Sequence, residues 1–325
     1  MAQFAPGVFR TLHGLFAVYK PPGVHWKSVR DTVETNLLKE LNALKQRAPR
    51  QQIRFLPAGT EGSNGLEVTR VPSAVPVLAD HVLVKGPAFT HIRVGTGHRL
   101  DIQSSGVFVL GIGHGNKLLK DMYNSHFTRD YTVRGMLGKA TEDFTELGKT
   151  IEKTTYDHIT REKLERILAV IQGTNQKALI THSHLDLQSQ EAYELAVQGK
   201  LRPMVKSPPI ILGIRCLEFS PPEFTLEIQC MHETQQYLRK MIHEIGLELR
   251  SSAVCTQVRR SRDGPFTVDC SLLRTQWDLG SIQGAIRERR AQTEGVSRGN
   301  PDREAAEGPI PGPSRGAEGE GELQA

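Results

Sequence analysis

The sequence predicts an α+β fold, in which strands and helices pack together without a regular strand–helix–strand repeat. Apolar and polar residues alternate over 224–230, which is the pattern of a strand with one buried face. Apolar residues at helical spacing predict helices over 164–171 and 238–249. Because no βαβ period runs along the chain, an α+β arrangement is favoured over a doubly wound parallel sheet.

Further strands and one helix boundary are predicted in chain order. Residues 15–20 form the first predicted strand, and 107–112 form another that is almost wholly apolar, as at the centre of a sheet. Thr160 is placed to cap the first predicted helix, which is expected to end at Gly173 because glycine commonly follows the last helical residue. The apolar stripe over 238–249 gives the second helix.

Two segments are predicted to lie outside the core. Residues 291–325 contain no aromatic residue and few aliphatic ones, so they cannot offset the entropy lost on ordering and are predicted to be a disordered tail. Residues 38–75 begin with a dense basic run and continue through several glycines, which indicates an extended basic loop, either solvated or in contact with RNA. The chain is therefore expected to comprise an N-terminal segment (1–12), one catalytic domain (13–290) with this insertion, and the tail.

The charge of the chain is unevenly distributed. Its net charge is +5, but residues 291–325 hold three arginines against seven acidic residues, so the first 290 residues carry 38 basic and 29 acidic groups, a net charge of +9. A positive surface of this size attracts polyanions, and nucleic acid is the obvious class. Charge alone does not establish such a partner, because many basic proteins bind no nucleic acid.

Several function classes are disfavoured by motifs that are missing or incomplete. No apolar run approaches the roughly 18 residues that a membrane span needs. The four cysteines include no CxxC pair, so neither a zinc site nor a disulfide framework is predicted and a reducing compartment fits best. The glycine series over 111–115 follows a predicted strand, but Asn116 stands where a dinucleotide-binding motif needs glycine, which disfavours a nucleotide-dependent enzyme.

The N-terminal residues leave two interpretations open. The first acidic residue is Asp31 and four basic residues precede it, which is typical of a mitochondrial import segment. The predicted strand begins at Leu15, however, so little chain is left for a segment that is cleaved.

One polar loop carries a single carboxylate. Residues 97–106 precede the apolar strand 107–112, so Asp101 is expected at the edge of a sheet. An aspartate in such a loop either accepts hydrogen bonds from nearby backbone N–H groups and forms a turn, or is presented to a substrate. The spacing alone favours the turn.

The loop resembles the catalytic loop of the TruB family of pseudouridine synthases, written roughly G-T-L-D-P-x-A-S-G-x-L. Its matching residues are Leu100, Asp101, Ser105 and Gly106. Three further blocks lie in the family's order: 15–23 (LFAVYKPPG), 129–138 (RDYTVRGMLG) and 237–260, which contains Tyr-Leu-Arg, Ile-Gly and Val-Arg-Arg. The resemblance implies the pseudouridine synthase fold, with a mixed, largely antiparallel sheet and flanking helices. It also implies isomerisation of uridine to pseudouridine in RNA, with no metal and no cofactor.

The resemblance implies a role for five residues. Asp101 is the expected catalytic carboxylate, and Arg239 is expected to pair with it and hold it ionised. Tyr131 is expected to stack on the uracil, and Tyr237 and Val258 to shape the pocket for the base. Further side chains are candidates for contacts with RNA phosphates: Lys20, His98, Arg99 and Arg129.

The sequence departs from the family pattern at several positions. Ile102 replaces the proline after the aspartate, His98 and Arg99 replace Gly-Thr, and Thr96 stands where bacterial members often carry histidine. After residues 277–286 little room is left for the small C-terminal RNA-binding domain of many relatives, so that domain is expected to be absent. An alternative is therefore an RNA-binding scaffold or assembly factor with little catalytic activity.

The likeness is to the mitochondrial mRNA pseudouridine synthase branch of the family. It implies that the substrate is mitochondrial RNA, either mRNA or tRNA, and that the protein resides in the mitochondrial matrix. It is also compatible with an association with mitochondrial RNA-processing proteins.

Overall fold

The computed structural model describes residues 4–44, 51–57, 68–74, 78, 81–183, 185–186, 188–198, 201 and 207–298. The helices are α1 (Ala5–Thr11), α2 (Trp26–Ala43), α3 (Val82–Lys85), α4 (Gly115–Asn124), α5 (Arg161–Ser183), α6 (Gln190–Val197), α7 (Gln235–Glu248) and α8 (Leu279–Arg298). The strands are β1 (Gly14–Lys20), β2 (Gln51–Pro57), β3 (Val68–Ala74), β4 (Val94–Thr96), β5 (Ser105–Ile112), β6 (Arg129–Leu137), β7 (Lys139–Thr141), β8 (Thr150–Lys153), β9 (Ile210–Ser220), β10 (Glu223–Met231), β11 (Ala253–Asp263), β12 (Phe266–Thr267) and β13 (Ser271–Leu272).

A mixed sheet organises the described part of the chain. Its strand order is β13-β1-β5-β11-β6-β10-β9, with β4 beside β5 and β12 beside β11. The β1–β13 and β5–β11 pairs are parallel, and the other pairs in this sheet are antiparallel. Helices pack against it, chiefly α5 on β9, α7 on β11 and α8 on β1. The predicted α+β class, with a largely antiparallel sheet and flanking helices, is confirmed.

The parallel β5–β11 pair joins two cores. One core lies around β1, β5, α2 and α8, and the other lies around β6, β10, β11, α5 and α7. Gly106 of β5 pairs with Arg260 of β11 and has φ +114°, a conformation that side chains disfavour. A Cβ at this position would lie 2.1 Å from the Arg260 carbonyl oxygen. The absence of a side chain therefore lets the two halves of the sheet meet.

Helical spacing of apolar residues explains how the helices dock. In α2, Val29, Val33, Leu37 and Leu41 recur every four residues and are buried. In α7, Leu238, Ile242 and Ile245 follow at spacings of four and three and are also buried. The Thr234 hydroxyl caps this helix by accepting the Tyr237 N–H at 3.1 Å. No helix within the described ranges is long and apolar enough to cross a membrane.

The structure confirms some predicted elements and corrects others. The strands expected at 15–20, 107–112 and 224–230 are β1, β5 and β10, and the stripe over 238–249 is α7. Helix α5 does not end at Gly173 but continues to Ser183. An internal glycine costs about 1 kcal/mol in a helix, which packing beyond it, including that of buried Leu179, can offset.

The boundaries outside the core also differ from the expectations. The extended-loop interpretation of 38–75 is wrong where the chain is described, because α2 continues to Ala43 and β2 pairs with β3. The remainder of that segment lies outside the described residues. Helix α8 continues to Arg298, and residues 299–325 lie outside the description, so the disordered tail stays a prediction.

Candidate active site

Asp101 lies in the loop between β4 and β5, called here the Asp101 loop (97–104). Its Oδ1 accepts the Ser104 N–H at 2.8 Å, and its Oδ2 lies 2.6 Å from Nη1 of Arg239. The aspartate therefore forms the local turn and also binds a residue of α7. Its side chain is 35% exposed whereas that of Arg239 is 9% exposed, so this is not a surface ion pair. The predicted pairing of the two residues is confirmed.

Arg239 sets the charge state of this carboxyl group. Burial raises the pKa of Asp101, but hydrogen bonds from Arg239 and Ser104 lower it more, and the net pKa lies below the ordinary value. The guanidinium also donates from Nη2 to the Ser104 hydroxyl at 3.0 Å, so it binds two residues of the turn. The result is an ionised carboxylate that is held in place and still partly open to solvent.

The buried side chain of Lys20 holds the Asp101 loop in place through hydrogen bonds to its backbone. Its Nζ donates to the carbonyl oxygens of Ser104 at 2.6 Å, Pro21 at 3.1 Å and Ile102 at 3.2 Å. Burial lowers the pKa of Lys20 to about 8, an effect that Asp101 opposes. Because this side chain is buried and occupied by carbonyl groups, the prediction that Lys20 contacts RNA phosphate is wrong.

A second arginine–carboxylate pair lies beside Tyr131. The Tyr131 hydroxyl donates to Oε1 of Glu233 at 2.7 Å, and Arg129 Nε lies 2.9 Å from the same oxygen. Tyr131 is wholly buried, and burial followed by the negative charge of Glu233 raises its pKa well above the ordinary value. The prediction that Arg129 contacts phosphate is also wrong, since its side chain is 8% exposed and paired with Glu233.

The predicted pocket residues lie around Tyr131. In the β11–β6 pairing, Val258 lies opposite Val133, and Arg260 lies opposite Tyr131. Because Tyr131 and Val133 are two residues apart on β6, Val258 and Tyr131 are diagonal neighbours on one face of the sheet. Tyr237 lies in the first turn of α7 and packs, half-buried, against the core that contains both residues. The structure thus places Tyr131, Tyr237 and Val258 in one core, whereas the direct contact to Asp101 comes from Arg239.

Buried charges connect the Asp101 loop to β11. Arg260 is fully buried and donates to the carbonyl oxygens of Val107 at 2.9 Å and His98 at 2.6 Å. Asp263 lies 3.6 Å from this guanidinium and 3.3 Å from Nδ1 of His98. Burial lowers the pKa of His98, and Asp263 opposes that shift. His98 is therefore a support for the loop rather than a free phosphate contact.

Three features of the site were not predicted from the sequence. They are the role of Glu233 as a partner of Tyr131, the hydrogen bonds from Lys20 to the Asp101 loop, and the buried Arg260–Asp263 pair. Glu233 follows a histidine in the sequence, but the two belong to no complete metal-binding motif. No sequence signal marked Glu233, because the burial of Arg129 on β6, which calls for a carboxylate nearby, becomes visible only in the fold. Among the residues that the structure describes, no three His, Cys, Asp or Glu side chains are grouped as metal ligands.

A cationic and aromatic surface adjoins the Asp101 loop. The guanidinium of Arg99, an exposed residue, lies 4.4 Å from the centre of the Trp26 ring, which is partly exposed at the start of α2. Lys27 and Arg30 each lie 5.8 Å from the same ring. Arg30 also binds Asp31, so part of its charge is neutralised. Of the four phosphate candidates, Arg99 is the exposed one.

Known proteins share much of this sequence. Residues 87–236 match the model for TruB family pseudouridylate synthase, N-terminal domain. The chain is 99% identical over 325 residues to pseudouridylate synthase TRUB2, mitochondrial, of Xenopus tropicalis, covering 100% of both chains. It is 67% identical over 276 residues to the Homo sapiens protein of that name, covering 85% of this chain and 83% of the human one. It is 30% identical over 179 residues to tRNA pseudouridine synthase B of Parabacteroides distasonis, covering 55% of this chain and 74% of that protein.

Proposed function

The chain belongs to the TruB family of pseudouridylate synthases and is a pseudouridine-forming isomerase, and we propose that Asp101 is its catalytic carboxylate. The observation that carries this proposal is the 2.6 Å contact between Asp101 and Arg239 on a carboxylate that remains 35% exposed. Such a group is ionised, oriented and reachable by a substrate. The other carboxylate of the site, Glu233, is buried and cannot meet the sugar directly.

The chemistry explains why an accessible carboxylate is needed. Uridine becomes pseudouridine when the N1–C1′ bond breaks, the base turns in place and C5 bonds to C1′. Positive charge grows at C1′ as the first bond breaks, and a carboxylate next to that carbon stabilises the charge or attacks it, as in glycoside cleavage. Asp101 fills this role either by bonding to the sugar or by removing a sugar proton.

Tyr131, Tyr237 and Val258 are proposed to hold the uracil. A uridine within folded RNA is stacked, so the enzyme must extract the base at a cost of a few kcal/mol, which pocket contacts offset. A tyrosine ring suits stacking, and Val258 lies diagonal to Tyr131 on the same face of the sheet. Because Tyr131 is wholly buried, the base reaches it only after neighbouring side chains move on RNA binding.

The proposed substrate is mitochondrial mRNA, with tRNA as the second choice. The Xenopus and human relatives are named as mitochondrial enzymes, which supports mitochondrial localisation, and the bacterial relative is named for tRNA. We place the protein in the mitochondrial matrix, where it would meet these RNAs and proteins that process them. The net charge of +9 over residues 1–290 supports RNA binding.

The test is the Asp101→Asn variant in single-turnover reactions with a uridine-containing RNA. The amide keeps the shape of the side chain and removes its charge, so we expect pseudouridine formation to fall by at least about 10³-fold. RNA affinity should change little, and Tm should fall by only a few degrees. Asp121→Asn, an exposed position on α4, is the matched control and should react normally.

The outcomes separate the proposed site from the alternative function. An Asp101→Asn variant that retained more than about a tenth of the rate would show that another group is the catalytic carboxylate. A parent protein that bound RNA tightly but formed no pseudouridine would instead support the RNA-binding scaffold.

A further inference from the structure

The reaction requires a group that the Asp101 chemistry does not supply. When C5 of the uracil bonds to C1′, C5 carries both the new bond and its original hydrogen. The C5–H bond must then break, and its electron pair returns to the ring. N1, freed from the sugar, gains a proton in exchange with water. A base near C5 is therefore needed, on the uracil side of the site and away from the sugar.

We propose that Glu233 is the final acceptor of the C5 proton and that the Tyr131 hydroxyl relays it, an inference that rests on the proposed function. The phenol oxygen accepts the proton from C5 while its own proton passes to Oε1 of Glu233, 2.7 Å away. Tyr131 is then unchanged, Glu233 is neutral, and it returns the proton to water after the product leaves. The proton lost from C5 thus ends in water, and the proton gained at N1 comes from water.

The surroundings of Tyr131 favour a relay over a tyrosine that acts alone. A lone tyrosine would need to be a phenolate before it could accept a proton. In this site burial and the Glu233 charge both oppose that anion and raise the pKa of Tyr131. Transfer of the phenol proton to Glu233 in the same step avoids the anion altogether.

The surroundings of Glu233 fit the same role. Its side chain is fully buried, and Arg129 Nε lies 2.9 Å from Oε1. The other oxygen, Oε2, is buried and accepts no hydrogen bond from the residues that the structure describes. A buried carboxylate oxygen without a partner is costly while the group is charged, and a proton taken up at Oε1 during turnover would neutralise the group and lower that cost.

The test is Glu233→Gln with RNA that carries either hydrogen or deuterium at C5 of the target uridine. Glutamine keeps an oxygen that can accept the Tyr131 hydrogen bond but cannot take up the proton. We expect the single-turnover rate to fall by about 100-fold. We also expect a primary deuterium isotope effect larger than that of the parent protein, measured in parallel, because C5–H cleavage becomes the slow step. Glu233→Asp, which keeps a carboxylate, should recover part of the rate.

A matched control and a second variant keep the outcome interpretable. Glu227→Gln removes a partly exposed carboxylate of β10 that binds Arg215, and it should leave both readouts unchanged. Tyr131→Phe should produce the same isotope effect as Glu233→Gln, and combining the two should add little, because both remove one relay. If Glu233→Gln does not fold, Tyr131→Phe and Glu233→Asp decide the question.

The relay is overturned if Glu233→Gln forms pseudouridine without a C5 isotope effect, or if Tyr131→Phe shows none. A loss of rate without the isotope effect would make Glu233 a residue that only positions Tyr131. Failure of the parent protein to form pseudouridine would count against the proposed function itself, so the two failures are distinguishable.

Discussion

The two arginine–carboxylate pairs of the site differ in their access to solvent. Asp101 and Arg239 lie 2.6 Å apart with the carboxylate 35% exposed, whereas Glu233 and Arg129 lie 2.9 Å apart with the carboxylate fully buried. The first pair bridges the Asp101 loop and α7, across the junction of the two cores. The second lies within one core, between β6 and the turn after β10. The same two chemical groups therefore form an open pair, Asp101–Arg239, whose carboxylate is accessible to solvent, and a closed pair, Glu233–Arg129, whose carboxylate is not.

This difference assigns different tasks to the two carboxylates. An open carboxylate can touch the sugar, and its charge is partly solvated by water. A closed carboxylate reaches the substrate only through a neighbour, which here is the Tyr131 hydroxyl, and its cationic partner is Arg129. Removing the arginine from a closed pair leaves an uncompensated charge, which is far more costly than the same change in an open pair.

Stability measurements on the two arginines should show this contrast. We expect Arg129→Ala to lower the free energy of unfolding by about 3–5 kcal/mol, because Glu233 would stay buried without its cationic partner. Arg239→Ala should cost about 1–2 kcal/mol, since water can solvate part of Asp101. Urea denaturation at neutral pH measures both. Arg215→Ala, which breaks an exposed pair with Glu227, is the control and should cost less than about 1 kcal/mol. Equal losses for Arg129→Ala and Arg239→Ala would contradict the comparison.

The same contrast explains what the sequence could and could not predict. Asp101 and Arg239 both fall in family motifs, so their pairing was expected although 138 positions separate them. Glu233 falls in no such motif, and its contact with Tyr131 joins residues 102 positions apart. Periodicity predicted β1, β5, β10 and α7 because their buried faces are regular. It could not show that Lys20 and Arg129 point inward, because burial of a cation depends on partners that only the fold brings near.

The pH dependence of the reaction should show how Arg239 controls the ionisation of Asp101. Hydrogen bonds from Arg239 and Ser104 outweigh burial and hold the pKa of Asp101 below its ordinary value. In Arg239→Gln burial acts with less opposition, so the pKa should rise and the acidic limb of the rate profile should move to higher pH. We expect the rate at neutral pH to fall at least about tenfold, because the guanidinium also orients the turn.

Stability provides the complementary readout for Asp101. A carboxyl group with a lowered folded-state pKa stabilises the fold above its unfolded pKa, and this contribution is lost as the pH falls through the folded value. The parent should therefore be more stable than Asp101→Asn at neutral pH, and the difference should shrink in acid. An acidic limb that did not move in Arg239→Gln would show that Arg239 does not control the ionisation of Asp101.

The smallest expected effects concern RNA binding by two basic parts of the chain. One is the surface around Trp26, where exposed Arg99 and Lys27 adjoin the Asp101 loop. The other is the basic stretch over 39–54, of which residues 45–50 lie outside the described residues. Removing the cation from one phosphate should reduce the slope of log K against log salt by roughly 0.7 for single-stranded RNA.

Alanine substitutions in the two parts compare their contributions to RNA binding directly. Replacing Lys27 and Arg99 should flatten the slope by up to about 1.4, and replacing the four basic residues of the stretch should flatten it by up to about 3. The stretch variant carries changes at Lys45, Arg47, Arg50 and Arg54. At saturating RNA the stretch variant should react at the parent rate, because none of its residues falls in a catalytic block. Lys177→Ala, exposed on α5 against the far edge of the sheet, is the control. A slope unchanged by the four substitutions would mean that the stretch is only solvated, which would leave the surface beside Asp101 as the main contact to RNA.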